Sequence, residues 1–147
     1  MILAELFTIT EIEAPAERVW HILTDFARYP EWNPFIRRIE GEPARRAALD
    51  LLIQPDGARP RRLRPHIVTF RPPKELRWRA QARLPGLFQG EHRFVVEHLG
   101  PRRSRLIHEQ RVRGLLVPFL RARLEEPVRR GFDAMNLALK QLAERYA

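Results

Sequence analysis

His92, His108 and Gln110 are the residues whose types and spacing suit chemistry. Each falls on the apolar parity of a two-residue alternation. His92 shares it with Phe94 and Val96; His108 and Gln110 share it with Leu106 and Val112. A polar side chain on the apolar side of a strand must meet a partner, a water or a ligand. Two readings are open. In one, the imidazoles are hydrogen-bonded core residues, bonding to each other across neighbouring strands. In the other, they are the few polar groups of an apolar, concave ligand site. Either histidine is of the right type for a general base. No nucleophile, base and orienting group can be assembled from the sequence, so His92 and His108 are candidates and the catalytic residues are unknown. Glu91 and Glu109 take the opposite parity and no compact His/Asp/Glu cluster exists, so no metal site is expected. His21, His66 and His98 read as surface or strand-end residues.

The aromatic residues form the next group. Trp78 alternates inward and Trp20 belongs to a short helix; both read as core. Trp32 lies in Tyr29-Pro30-Glu31-Trp32-Asn33-Pro34-Phe35, a stretch too rich in proline for a regular element, and is placed at a cavity mouth. Met135, Asn136 and Leu139 either line a cavity or pack a helix on a sheet. The expected ligand-lining set is Trp32, Trp78, His92, Phe94, His108, Gln110, Met135, Asn136 and Leu139. Arg77 and Arg83 take outward parity and form no inward carboxylate clamp.

These side chains need elements to hold them. Leu120, Leu124, Val128, Phe132, Met135, Leu139, Leu142 and Tyr146 recur in steps of three or four, the stripe of one long amphipathic helix. Pro127 within it predicts a kink or a second helical start. No other stretch reads as a long helix, so its partner is a sheet. Residues 2–13 read as a strand with apolar residues on both faces, which suits a central position. Ala14-Pro15-Ala16-Glu17 starts a helix with proline and an acid in the first turn. Asp25 opens a second short turn that Pro30 ends. Strands follow at 35–40, 47–53, 63–70, 76–83, 88–98 and 105–112. Pro65 inside one of them marks an edge or a bulge. Turn signals recur between them with no helix, so neighbours are antiparallel hairpins. Pro85–Phe88 and Leu115–Phe119 are apolar where a turn or helix start is usually polar; they suit a cavity gate or a dimer patch.

The chain of 147 residues is read as one domain, 1–147, of ordinary globular composition, with no span of the roughly 20 apolar residues a bilayer crossing needs. The N-terminus shows no secretory pattern. There is no cysteine, which excludes disulfides and fits a reducing, cytoplasmic compartment. The net charge of +9 suggests nucleic acid. Against that, only Lys74 and Lys140 are lysines among 27 basic residues, the arginines are scattered, and no strand interleaves basic residues with exposed aromatics. Arginine, alanine and proline share GC-rich codons, which accounts for the bias without a nucleic-acid partner. The charge also suits peripheral contact with an anionic membrane.

Several motifs look familiar together. Ile12-Glu13-Ala14-Pro15-Ala16-Glu17-Arg18-Val19-Trp20, Leu23-Thr24-Asp25-Phe26 and the segment Tyr29–Phe35 resemble the opening of the polyketide cyclase/dehydrase-like branch of the START/SRPBCC superfamily. Leu76-Arg77-Trp78, Gly90-Glu91-His92-Arg93-Phe94, Leu106-Ile107-His108-Glu109-Gln110 and Gly131-Phe132-Asp133-Ala134-Met135-Asn136 with Leu139-Lys140 extend the likeness over nearly the whole chain. The resemblance implies an α+β helix-grip fold. In it a seven-stranded antiparallel curved sheet and two short helices enclose a cavity with one long C-terminal helix. It implies binding, and possible transport, of a hydrophobic small molecule such as a lipid, isoprenoid or polyketide, with no cofactor. Two alternatives stand beside that: an aromatase/cyclase- or dehydrase-type enzyme, with His92 or His108 as base on a poly-β-ketone, and a protein-partner-binding accessory module. A monomer or a homodimer fits each. Fold alone does not choose among them.

Overall fold

The computed structural model describes residues 3–145. Strand β1 (Leu3–Ile12) leads into helix α1 (Ala16–Thr24), a 3-10 turn (Phe26–Arg28) and a one-turn helix α2 (Tyr29–Trp32). Seven strands follow: β2 (Ile36–Glu40), β3 (Asp50–Ile53), β4 (Arg61–Leu63), β5 (His66–Arg71), β6 (Glu75–Gln81), β7 (Gln89–Gly100) and β8 (Arg103–Arg113). Helix α3 (Val117–Arg145) closes the chain. The strands form a five-stranded sheet in the order β1-β8-β7-β6-β5 and a three-stranded sheet, β2-β3-β4, with antiparallel pairing throughout. This is the helix-grip arrangement of a curved sheet around a long helix.

Eight strands replace the expected seven, and Pro65 is the reason. It has no N–H for a ladder, so 63–70 splits into β4 and β5 on different sheets. Its carbonyl is still used, accepting from Leu49 N at 2.8 Å. Ile67 N donates to Ala47 O at 2.9 Å, and Ala48 and His66 form a single antiparallel bridge, so the two sheets meet across the break. The strand expected over 47–53 is shorter for the same reason, running only from Asp50.

Two further expectations are corrected. β1 lies at a sheet edge and not at its centre. Its inner residues Leu6 and Ile12 are buried, while Phe7 and Ile9 on the outer face are more than half exposed. The segment 29–32 is helical, because Pro30 sits in the first turn of α2, where a missing N–H costs nothing. Asn33 then ends that turn. Its buried Oδ1 accepts from both Phe35 N and Ile36 N at 2.9 Å and launches β2.

The outer face of the large sheet is an ion-pair lattice. Glu75 accepts from Arg77 of its own strand and from Arg93 of the next, and Glu91 from Arg77 and Arg79 and Glu109 from Arg93 across neighbouring strands. Glu75 is buried; burial opposes its charge, but the Arg93 and Arg77 hydrogen bonds outweigh that and hold its carboxyl below the usual range. Parity thus assigns charge outward and apolar groups inward, and the inner face is what α3 grips.

Along α3 the burial is graded. Gly131, Phe132, Met135, Asn136, Leu139 and Ala143 are buried, whereas Leu120, Leu124 and Val128 are half-buried. The helix is unbroken through Pro127, whose carbonyl accepts from Asp56 N at 3.1 Å; no second helix begins there. Gly131 is where α3 comes closest to β2: a Cβ built there would lie 2.3 Å from the Phe35 ring. Tyr146, the last residue of the predicted stripe, lies outside the described residues.

Candidate functional site

Strand register assembles the site. β7 and β8 pair with His92 opposite Gln110 and Phe94 opposite His108, and β6 places Trp78 opposite His92. All point inward beneath α3. The His108 ring stacks on Phe132 of α3 at 3.8 Å between centroids and 7° between planes, and on Phe94 at 4.5 Å. His92 stacks on Phe94 at 4.9 Å and tilts against Trp78 at 5.3 Å. Five rings from three strands and one helix therefore fill the middle of the sheet–helix space.

Within the stack runs a chain of hydrogen bonds. His92 Nε2 and His108 Nε2 are 2.5 Å apart, and His108 Nδ1 is 2.8 Å from Asn136 Oδ1. Asn136 Nδ2 donates to Thr8 Oγ1 at 2.9 Å, and the Thr8 hydroxyl donates to the His108 carbonyl at 2.9 Å. An amide oxygen only accepts, so His108 carries its proton on Nδ1 and its Nε2 is the acceptor for His92 Nε2–H. That leaves His92 Nδ1 as the free lone pair of the pair. Both rings are neutral. Burial pushes the His108 imidazolium down to about 3 despite the Asn136 bond, and burial with the neighbouring His108 pushes His92 well below 6.5.

The expected residues divide into two groups. Trp78, His92, Phe94, His108, Met135, Asn136 and Leu139 come together, and all are buried. The reading of the histidines as partners across neighbouring strands describes their geometry. Gln110 and Trp32 lie further out and are half-buried, Trp32 packed edge-on against Tyr29 at 5.0 Å. Gln110 has no side-chain partner among the described residues. Thr8 went unremarked in the sequence, and Asn136 had no assigned bond; only the approach of α3 to β1 makes them part of the chain. Phe132, read as one residue of a stripe, is the lid on the His108 ring.

Beyond His92 the inner face opens. Ala80, Ala82, Phe88, Gly90, Gln110 and Val112 keep inward parity but are only half-buried, as are Leu120, Leu124 and Val128 on the first half of α3. An apolar strand face and an apolar helix stripe are therefore left partly uncovered, with Gln110, the register partner of His92, on that strand face. Separately, an open cleft of about 370 Å³ lies between β1 and α3, lined by Thr8, Ile9, Thr10, Asp133, Asn136, Leu137 and Lys140. It meets the hydrogen-bond chain at its Thr8–Asn136 end. No group of three or more His, Asp or Glu able to hold a metal ion occurs among the described residues.

The family model described as polyketide cyclase / dehydrase and lipid transport matches residues 6–144. No curated protein matches. Among solved structures, the aromatase/cyclase ZhuI of a Streptomyces species superposes with a TM-score of 0.80 at 19% identity, covering 98% of this chain and 95% of that one. A START superfamily protein of Mycobacterium smegmatis gives 0.74 at 22% identity, covering 97% and 99%. Norcoclaurine synthase of Thalictrum flavum, solved with a transition-state analogue, gives 0.74 at 12% identity, covering 99% and 96%. At such identities the likeness is one of fold. With residues 6–144 matched by that family model, and its strands and long helix sharing the fold of these structures, the chain belongs to the polyketide cyclase / dehydrase and lipid transport family.

Proposed function

We propose that this protein binds a hydrophobic small molecule, of the lipid, isoprenoid or aromatic polyketide kind, in the opening between the inner sheet face and the first half of α3. One observation carries the reading. Apolar residues of correct inward parity, Phe88, Val112, Leu120, Leu124 and Val128, remain half-exposed on two facing surfaces that a ligand would cover. The polar groups at the inner end are uncharged: the free amide of Gln110 and the neutral ring of His92. They suit a carbonyl or hydroxyl on an otherwise apolar molecule, and a buried carboxylate would find no cation there. A reducing, cytoplasmic setting belongs to the same reading, supported by the absence of cysteine.

The test is a titration with a neutral apolar fluorophore such as Nile red. Val112→Trp and Leu124→Trp fill the opening and are expected to weaken binding about tenfold or more, which is about 1.4 kcal/mol. Equal binding by wild type and both variants, with melting temperatures preserved, sinks the reading.

A second reading rests on the hydrogen-bond chain. His108, fixed by Asn136 and Phe132, fixes in turn the tautomer of His92, whose Nδ1 lone pair is left to take a proton. That is the orientation a general base needs, and it suits enolisation of a poly-β-ketone in a cyclase or dehydrase reaction. A base this weak gains little thermodynamic drive but stays unprotonated across the physiological range. If His92→Ala turned over a poly-β-ketone at the wild-type rate, the base role would be excluded.

A further inference from the structure

The loop joining β6 to β7 and the loop joining β8 to α3 form one tip. Leu115 N donates to Gly86 O at 2.9 Å and Leu116 N donates to Leu87 O at 2.9 Å. Gly114 permits this approach: its φ is +129°, and a Cβ there would lie 2.4 Å from Leu87 O. The tip is therefore fixed by backbone bonds, and what it shows to solvent is built in. It shows Leu84, Leu115 and Phe119, at 65%, 70% and 72% exposure, with Leu116 beside them.

The charge around these residues is mostly positive: Arg111 is paired with Glu5 and Arg121 with Glu125, each at 3.4 Å, and the other arginines are not matched among the described residues. Arg83, Arg111, Arg113, Arg121 and Arg123 fall within residues 82–88 and 111–124, and those stretches hold no acid. The contrast with the outer sheet face is sharp, since there the arginines are matched strand by strand with glutamates. Arg83, Arg113 and Arg123 carry no ion pair among the described residues. Large apolar side chains ringed by unpaired arginines have the composition of a surface that sinks into the headgroup region of a bilayer, with guanidinium groups left at phosphate level. A protein partner would require acids of its own placed to match. An anionic bilayer supplies both the apolar layer and the phosphate charge, and the net charge of +9 draws the whole molecule to it.

We propose that this tip docks on an anionic lipid surface. The tip adjoins the half-open mouth, because Phe88, Gly90 and Val112 follow directly from its two loops. Docking would place the mouth against the lipid, so an apolar molecule could pass between bilayer and protein without crossing water. That passage rests on the function proposed above; the docking itself does not.

The experiment is flotation with ligand-free vesicles, of phosphatidylcholine alone or with phosphatidylglycerol at about one lipid in three. Binding is expected to the anionic vesicles only, and to fall steeply when salt is raised from 0.1 to 0.5 M. Leu115→Ser with Phe119→Ser should reduce it about tenfold or more. Removing Arg83, Arg113 and Arg123 one at a time to glutamine should cost about fivefold each. These side chains are exposed, so a melting curve will confirm that the variants fold. Arg45→Gln with Arg46→Gln, on the loop between β2 and β3, should leave binding unchanged.

No flotation with anionic vesicles, or flotation indifferent to every tip variant, overturns the proposal. So does a wild-type dimer that Phe119→Ser converts to monomer, which would make the tip a protein interface. Because no ligand is present, failure here leaves the Nile red result standing, and failure there leaves this one.

Discussion

His108 is enclosed more completely than any other ionisable side chain of the site, and its consequences are thermodynamic before they are catalytic. A neutral buried imidazole with a pKa of about 3 takes up no proton between pH 6.5 and 3, while the unfolded chain does. Stability is therefore full above pH 6.5 and falls as the pH drops below it. With His92 shifted the same way, for burial and the neighbouring His108, the loss is steeper than one histidine alone would give. Urea unfolding at pH 7 and pH 5 should show the loss, and His92→Gln with His108→Gln should flatten it. A second prediction concerns Asn136. Asn136→Ala strands the His108 Nδ1–H in a dry interior and should cost about 1–3 kcal/mol in denaturant unfolding. Thr8→Val keeps the shape and loses two hydrogen bonds, and should cost less, about 1 kcal/mol. At this scale the sequence was half legible. Parity alone put His92 and His108 on the inner face. It carried no information on the contact between α3 and β1, so Thr8 was invisible and Asn136 had no partner.

Gly131 shows how helix and sheet are held together. Alanine is the better helix former by about 1 kcal/mol, so an exposed Gly131→Ala would stabilise. Here the added methyl meets the Phe35 ring, which is fully buried and packed edge-on against Phe132 at 5.7 Å. The substitution should instead destabilise by about 1–3 kcal/mol through overpacking, measured as a lower urea midpoint at unchanged slope. A raised midpoint would mean that Phe35 yields freely and that the grip is loose. The elements themselves were largely readable, because hydrophobic period and turn residues are local signals. β1 was misplaced because the apolar Phe7 and Ile9 on its outer face imitate a two-sided strand; the other misreadings share one cause, proline. Pro65 was taken to mark an edge or a bulge within one strand and divides two strands. Pro30 was taken as the end of a turn and begins one. Pro127 was taken to kink the long helix or to begin its second half, and no second helix begins there. In each case the residue's missing N–H is a local fact, but its effect depends on whether a neighbour needed that donor.

The whole molecule is asymmetric along its long helix. One half of α3 closes on a ring stack, and in the other half, Val117 apart, the apolar stripe is only half-buried. The outer sheet face is paired in charge, and the tip is paired only at Arg111 and Arg121 among the described residues. No helix among the described residues is long and apolar enough to cross a membrane. The centre of the sheet–helix space is filled, with Phe132 and Phe94 clamping His108, and the incompletely buried inner-face residues lie toward one end. This follows from size: five rings occupy the middle layer, while alanine and glycine at 80, 82 and 90 leave the end layer thin. Phe132→Ala should hollow the centre, at about 3–5 kcal/mol in stability. If the opening is the binding site, the same change should enlarge the range of apolar molecules accepted, read as Nile red displacement by bulkier ligands.

The most direct measurement is native mass spectrometry of protein purified without detergent, followed by organic extraction of the same sample. The account predicts a one-to-one adduct whose mass extracts as an apolar compound, present in the wild type and depleted in Val112→Trp and Leu124→Trp. A bare protein that also takes up no added lipid, isoprenoid or aromatic polyketide would contradict it. So would an adduct retained in full by both filled variants.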